Sequence, residues 1–120
     1  MATRDDLSRV RRLALGLPDV EEGTTFGYPA FKIGGKPFAW FPNKPEVEPG
    51  TLAVRASFLE RDHRIAAHSD IYYFTPHYKD YPAVLVRVWL LKDGELRELL
   101  ESSYEFVVSE AKRKKKKRAR

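Results

Sequence analysis

The sequence predicts an α+β domain with two layers, in which a mainly antiparallel sheet carries its helices on one face. Apolar residues recur at helical spacing near both ends of the chain, from Leu7 to Leu17 and from Leu96 to Val108. Between them, short runs rich in aromatic and β-branched residues are separated by turn residues, which is typical of strands joined by hairpins. Hairpin connections favour antiparallel pairing, and helices on one face complete a two-layer sandwich.

The elements follow in the order helix, three or four strands, helix, two strands, helix. The first helix is expected over residues 4–16, ended by Gly16 and Pro18. Gly34 and Gly35 tolerate positive φ and predict a two-residue hairpin turn. Strands are expected over 22–28, 30–33, 36–41, 51–56, 71–75 and 83–91. The second helix is expected to run from the capping box at Ser57 and Glu60 to about His68, and the last helix begins at Asp93.

The positive charge of the chain is concentrated at its C-terminus. Residues 112–120 contain eight of the 22 basic residues and none of the 17 acidic ones, which leaves 14 basic against 17 acidic residues in the body. The body is therefore −3 and the tail +8. Because like charges at this density repel one another, we expect a disordered tail over 112–120, added to a single domain over 1–111.

Cellular location and chemistry are limited by what the sequence lacks. There is no cysteine, which excludes disulfides and thiolate metal sites. The N-terminus has no apolar segment typical of a secretory signal, and no run of about 18 uncharged apolar residues occurs anywhere. We therefore expect a cytoplasmic protein with no membrane association.

Catalytic and metal-binding patterns are also missing. His63 and His68 lie five residues apart, about 140° around a helix, and so do not share a metal from one face. Residues 34–36 resemble the end of a phosphate loop, but Ala30 and Pro37 replace its first glycine and its hydroxyl residue. No serine stands in a nucleophile elbow. We therefore expect no catalytic residue, metal or cofactor, and a protein that is not an enzyme.

Three segments resemble the MmcQ/YjbR family, in the family's order and spacing. They are residues 12–23 (RLALGLPDVEEG), 26–36 (FGYPAFKIGGK) and 73–87 (YFTPHYKDYPAVLVR). The resemblance implies an α-β(3)-α-β(2)-α fold, similar to that of secretion chaperones and CyaY. It also implies DNA binding, which in this family is attributed to a double-wing arrangement. The basic tail lies beyond the usual end of the family domain, so the resemblance implies nothing about it.

Two surfaces of the predicted domain are candidates for binding nucleic acid. If one sheet face is uncovered, the polar phase of its strands places Lys32, Arg55, Arg87 and Trp89 there together. Cations beside an aromatic ring suit nucleic acid, but they also suit a dimer interface, and arginines often simply lie over apolar surface.

The second candidate surface is the turn over residues 75–82. An exposed turn there would present His77, Tyr78 and Lys79, which could stack on a base and contact a phosphate. The alternative is that Tyr78 or Tyr81 packs over the sheet.

The basic tail is the third candidate. Its cations are expected to meet a polyanion, and the absence of bulky apolar residues argues against insertion into lipid. The tail residues assigned to this contact are Lys112, Arg113, Lys114, Lys115, Lys116, Lys117 and Arg118. The alternative is a merely solubilising tail.

We expect a DNA-binding protein with non-specific phosphate contacts, with RNA as another polyanion. The alternative functions are a protein-interaction or homodimerising module and an uncharacterised small-ligand or enzyme domain.

Overall fold

The structure, a computed structural model that describes residues 4–118, contains three helices and six strands in that range. The helices are α1 (Arg4–Leu15), α2 (Phe58–Ala67) and α3 (Asp93–Arg118). The strands are β1 (Val20–Thr25), β2 (Tyr28–Ile33), β3 (Lys36–Trp40), β4 (Leu52–Arg55), β5 (Tyr72–Tyr73) and β6 (Ala83–Val86). No helix in this range combines the length and the apolar character that crossing a bilayer requires.

All six strands belong to one sheet, and each pairs antiparallel with its neighbours in the order β1-β2-β3-β4-β6-β5. The predicted α+β class is therefore confirmed. Four strands precede α2, which is the larger of the two numbers that the sequence pattern allowed. It is one more than the family resemblance implied.

Two tight turns shape the first half of the sheet. Gly34 and Gly35 have φ of 59° and 79°, as a two-residue hairpin turn of type I′ requires, which confirms the prediction. A second turn joins β1 to β2 through Phe26 and Gly27, with φ of 52° and 81°. Phe26 was predicted to lie inside a strand over residues 22–28. Its left-handed backbone is unusual for a bulky residue, and it leaves the ring 85% exposed at the hairpin tip.

The main core lies between the sheet and the helices. Val84, Val86 and Val88 are fully buried there, in one cluster with Leu96 and Leu100 of α3. The alternate spacing of Val84, Val86 and Val88 in the sequence predicts that they face the helices, and their burial confirms it. Leu90, in the same alternation, is 48% exposed because β6 ends at Val86. Burial of the three valine side chains stabilises the contact between sheet and helices.

The opposite sheet face is covered as well, which corrects the expectation of an uncovered face. Ala53 and Leu85 belong to a second buried cluster on that side, together with Trp40 of β3. Val47 and Tyr78, from the segments that follow β3 and β5, complete the cluster. Because the strand residues on this face are apolar, folding those two segments over them removes apolar surface from water.

Helix α3 continues far beyond the body of the domain. Its backbone is helical through residues 112–118, where the sequence predicted a disordered tail; residues 119 and 120 lie outside the described range. Adding residues to an existing helix costs little compared with starting one, and lysine and arginine are good helix formers. Cations near a helix C-terminus also interact favourably with the helix dipole. These terms oppose the repulsion between like charges.

Candidate nucleic-acid interface

Arg55, predicted on an open sheet face, is 8% exposed and is held by partners within the protein. Its guanidinium donates to the carbonyl of Pro82 at 3.0 Å and to the carboxylate of Glu110 at 2.9 Å. The same group lies 5.1 Å from the ring centres of both Tyr81 and Phe106. Arg55 therefore joins β4, the segment before β6 and α3, and it does not lie on an open sheet face as predicted.

Arg87 is also held by intramolecular partners. It donates to Glu48 at 2.7 Å and to the carbonyl of Asp70 at 3.0 Å. Its guanidinium lies 4.4 Å from the ring centre of Tyr73. A guanidinium with these partners is largely unavailable to a phosphate.

Trp89 and Lys32 do not join Arg87 on a common surface. Val86 is the last β6 residue with partners, since Leu52 and Tyr72 both pair with it. The chain then leaves the sheet in a short 3₁₀ turn, and Trp89 packs against the main core instead. Lys32 is half-buried on β2, with its side-chain stem next to Gly23. The predicted four-residue surface is therefore not assembled.

The segment predicted as an exposed turn packs on the sheet instead. Tyr78 is only 5% exposed and belongs to the second cluster, whereas His77 and Lys79 are exposed as expected. Arg61, which the sequence analysis did not single out, fixes this segment. It donates to the carbonyls of Tyr78 at 3.2 Å and Lys79 at 3.0 Å, and its guanidinium lies 4.3 Å from the ring centre of Phe74.

The basic part of α3 is the strongest concentration of exposed positive charge in the described residues. We call residues 112–118 the basic extension. The side chains of Lys112, Arg113, Lys114 and Lys115 are all exposed, and those of Lys116, Lys117 and Arg118 lie outside the described side chains. Val107, one helical turn before the extension, is buried in the main core. The extension is therefore attached to the body through a continuous, anchored helix.

A shallow groove separates the basic extension from the turn between β2 and β3. It has a volume of about 250 Å³. Val108 and Ala111 line it together with the side chains of Lys36, Lys112 and Lys115. Of the predicted contact residues, Lys112 and Lys115 are thus brought next to a cation from the sheet that the prediction had omitted.

A second concave surface lies over the covered sheet face, and we call it the aromatic cleft. It has a volume of about 600 Å³, and its lining includes Phe26, Trp40, Tyr78, Tyr81, His77 and Lys44. The rings of Trp40 and Tyr81 meet edge to face at 6.3 Å between centres. The Lys44 ammonium lies 5.9 Å from the ring centre of Phe26.

Tyr78 contributes a largely buried phenol to the cleft. Burial raises the pKa of Tyr78, and a hydrogen bond from the Trp40 side chain partly opposes that rise. The phenol therefore stays protonated and neutral at physiological pH. His77 lies edge-on to the Tyr78 ring, with 4.8 Å between ring centres.

His77 and Tyr78 were predicted as site residues, and the structure brings them into one cleft with residues that sequence reasoning missed. The missed residues are Phe26, Lys44 and Trp40, contributed by the β1–β2 turn, the loop after β3 and β3 itself. An aromatic-glycine pair between two strand-like runs was the available sequence signal for the Phe26 turn.

His63 of α2 and His68, which follows the helix, lie on a surface that also carries carboxylates. His63 and His68 line a depression that also contains Glu95 and Glu98. Across the described residues, no three His, Cys, Asp or Glu side chains are grouped so that they could hold a metal ion.

Comparisons with known proteins found a matching family model and a similar solved structure. The family model for YjbR matches residues 15–106. Among curated proteins, no match was found. The fold is similar to that in the crystal structure of Deinococcus radiodurans protein DR2400, which carries the family-model domain DUF419. The TM-score is 0.67 and the sequence identity is 24%. The match covers 89% of this chain and 79% of that one.

Proposed function

The chain belongs to the YjbR family, and from its basic extension we propose that it binds DNA through phosphate contacts that do not depend on sequence. The observation that supports this is the run of exposed cations on α3, which continues a helix anchored in the core. Fixed cations are favourable partners of a phosphate backbone because their binding releases condensed counterions.

The distribution of charge favours the extension over the rest of the surface as the contact site. The body carries 14 basic and 17 acidic residues and on average repels a polyanion. Arg55 and Arg87 are already bound to Glu110 and Glu48. Lys36 adds to the extension across the groove that it shares with Lys112 and Lys115.

Helical geometry limits how many of these cations reach one backbone. Successive residues of a helix are about 100° apart, so about three to four of the seven cations in 112–118 lie on any one side. RNA offers the same phosphate chemistry and is the second polyanion to test. A cytoplasmic location and action as a binding protein, not an enzyme, complete the proposal.

The test compares the full chain with a variant in which the seven basic residues of 112–118 are replaced by glutamine. Glutamine has a helix propensity close to that of lysine, so the charge is removed while the helix is kept. The matched control, Lys92→Gln with Arg97→Gln, removes exposed cations near the other end of α3. In fluorescence anisotropy with a labelled duplex at low salt, we expect the neutralised variant to bind at least tenfold more weakly and the control to bind nearly as wild type. Unchanged affinity of the neutralised variant would contradict the proposal.

Homodimerisation is a second candidate function, favoured by a group of exposed apolar side chains. Phe58, Leu59 and Phe74 are all exposed, and Arg61 contacts the rings of both phenylalanines. Exposed apolar groups of this kind are typical of protein contact sites. If this surface forms a dimer, sedimentation should show a dimer for the wild type and a monomer for Leu59→Lys. A monomeric wild type would dismiss this candidate.

A further inference from the structure

We propose that the aromatic cleft binds one unpaired nucleobase of a single-stranded nucleic acid, while the adjoining phosphates follow the surface towards the basic extension. The proposal rests on the proposed function, since it concerns the same polyanion. It adds a second site, on the face of the sheet opposite the helices. This site would contact a base through aromatic rings, whereas the basic extension would contact phosphates through cations.

The rings of the cleft are arranged to receive another flat ring. Phe26 is 85% exposed and is held at the hairpin tip by a φ of 52°, a conformation that costs a bulky residue free energy. Tyr81 is 40% exposed and meets the largely buried ring of Trp40 edge to face, at an interplanar angle of 72°. Bases stack on such side chains with little dependence on sequence, because every base has a π-face.

The charges of the cleft favour a ring that carries phosphate. Lys44 lies beside Phe26, and among the cleft-lining residues within the described part of the chain there is a lysine and a histidine but no carboxylate. The volume of about 600 Å³ is within the usual range of small-molecule sites and accommodates one base with its sugar. A base within a duplex has both faces covered by its neighbours, so only an unpaired base can enter.

A series of side-chain contacts connects the cleft to α3. Tyr81 lines the cleft, and its ring lies 5.1 Å from the Arg55 guanidinium. Arg55 in turn contacts Phe106 and Glu110 of α3, and the basic extension starts two residues after Glu110. The cleft and the first residues of the basic extension are therefore joined by one packed cluster, and a single strand that reaches both has to pass over it.

The experiment compares two single-stranded oligonucleotides of equal length, one with normal bases and one abasic, binding to the full chain. Both present the same phosphates, so only a base site distinguishes them. We expect the normal oligonucleotide to bind roughly fivefold to a hundredfold more tightly, as one stacked base would give. The Phe26→Ala variant should remove most of the difference, and because Phe26 is highly exposed the substitution should leave the fold intact.

Tryptophan fluorescence locates the base. The chain has two tryptophans, so in a Trp89→Phe background Trp40 is the sole reporter, and the normal oligonucleotide should quench it while the abasic one should not. The comparison of the two oligonucleotides on the wild type needs no variant and stands if Trp89→Phe fails to fold.

The outcomes separate this inference from the proposed function. Equal binding of both oligonucleotides, with Trp40 unquenched, would overturn the base site and leave phosphate binding in place. Failure of the duplex and of both single strands to bind would overturn the proposed function itself. If a free mononucleotide quenches Trp40 fluorescence at the same concentration as the oligonucleotide does, the cleft binds nucleotides. That result would overturn the proposal that its ligand is a single-stranded polymer.

Discussion

Replacing Arg61 with alanine should loosen the segment that forms the floor of the aromatic cleft. Arg61 is a residue of α2 that is 7% exposed, and its side chain reaches the segment over residues 76–79. It donates to the carbonyls of Tyr78 and Lys79 and contacts the rings of Phe58 and Phe74. Alanine removes all four contacts, and the two carbonyls lose a charged donor.

The expected cost follows from those contacts. Each hydrogen bond from a charged donor contributes about 1.5–3 kcal/mol, and each cation–π contact about 0.5–1 kcal/mol. Contributions in one cluster are not additive, so we expect Arg61→Ala to lower the free energy of unfolding by about 3–4 kcal/mol. Arg61→Lys keeps the charge but loses the planar group that contacts both rings, and should cost about half as much.

Urea unfolding followed by circular dichroism measures this loss, with Arg97→Ala as the control. Arg97 is exposed on α3, and its removal should change stability by about 0.5 kcal/mol or less. Native-state hydrogen exchange should show faster exchange of the Tyr78 and Lys79 amides, which bond to the carbonyls of Thr75 and Pro76. A loss below about 1 kcal/mol, with both amides still protected, would refute this reasoning.

Three further predictions follow from the core, an ion-pair group and a strained turn. Val86→Ala should lower the free energy of unfolding by about 1–3 kcal/mol in urea, because a fully buried side chain is removed from the main core; no change would contradict the packing. Hydrogen bonds from Arg12 and Arg9 lower the pKa of Asp93 below its ordinary 3.8. The ionised carboxylate therefore stabilises the folded protein above pH 3.8, and this stabilisation is lost as the pH falls through the pKa of Asp93 in the folded state. The melting temperature of Asp93→Asn should therefore be lower than that of wild type at pH 7, and the two should converge in acid; a constant difference would count against the pairing. Phe26→Gly should leave stability unchanged or raise it by about 0.5–1 kcal/mol by relieving the left-handed backbone, and thermal unfolding that shows a clear loss would disprove the strain.

Features of the fold that depend on neighbours in sequence were predictable. The turn at Gly34 and Gly35 and the start of α2 at Ser57, whose hydroxyl accepts from the Glu60 N–H, each involve residues within three positions of one another. The alternation at Val84 and Val86 predicted a buried strand face for the same reason. These local rules led to the correct fold class.

The candidate site was less predictable because its contacts join distant parts of the chain. Arg55 and Glu110 are 55 positions apart, and Arg87 and Glu48 are 39 apart, so no local pattern indicates that these cations are already paired. Trp89 was misplaced because apolar alternation continues after the strand has run out of partners at Val86. The aromatic cleft gathers residues from several separate segments, and only the fold brings them together.

The salt dependence of duplex binding tests the central claim, that the basic extension supplies the phosphate contacts. A flexible tail making about four to six contacts would give a log–log slope of roughly −4 to −5. The helical extension, with about three to four cations on one side, predicts a slope of roughly −3 to −4 for the full chain. The variant with glutamine throughout 112–118 should have a slope near zero to −1. The same slope for the variant and the wild type would contradict the account and assign the contacts to the body of the domain.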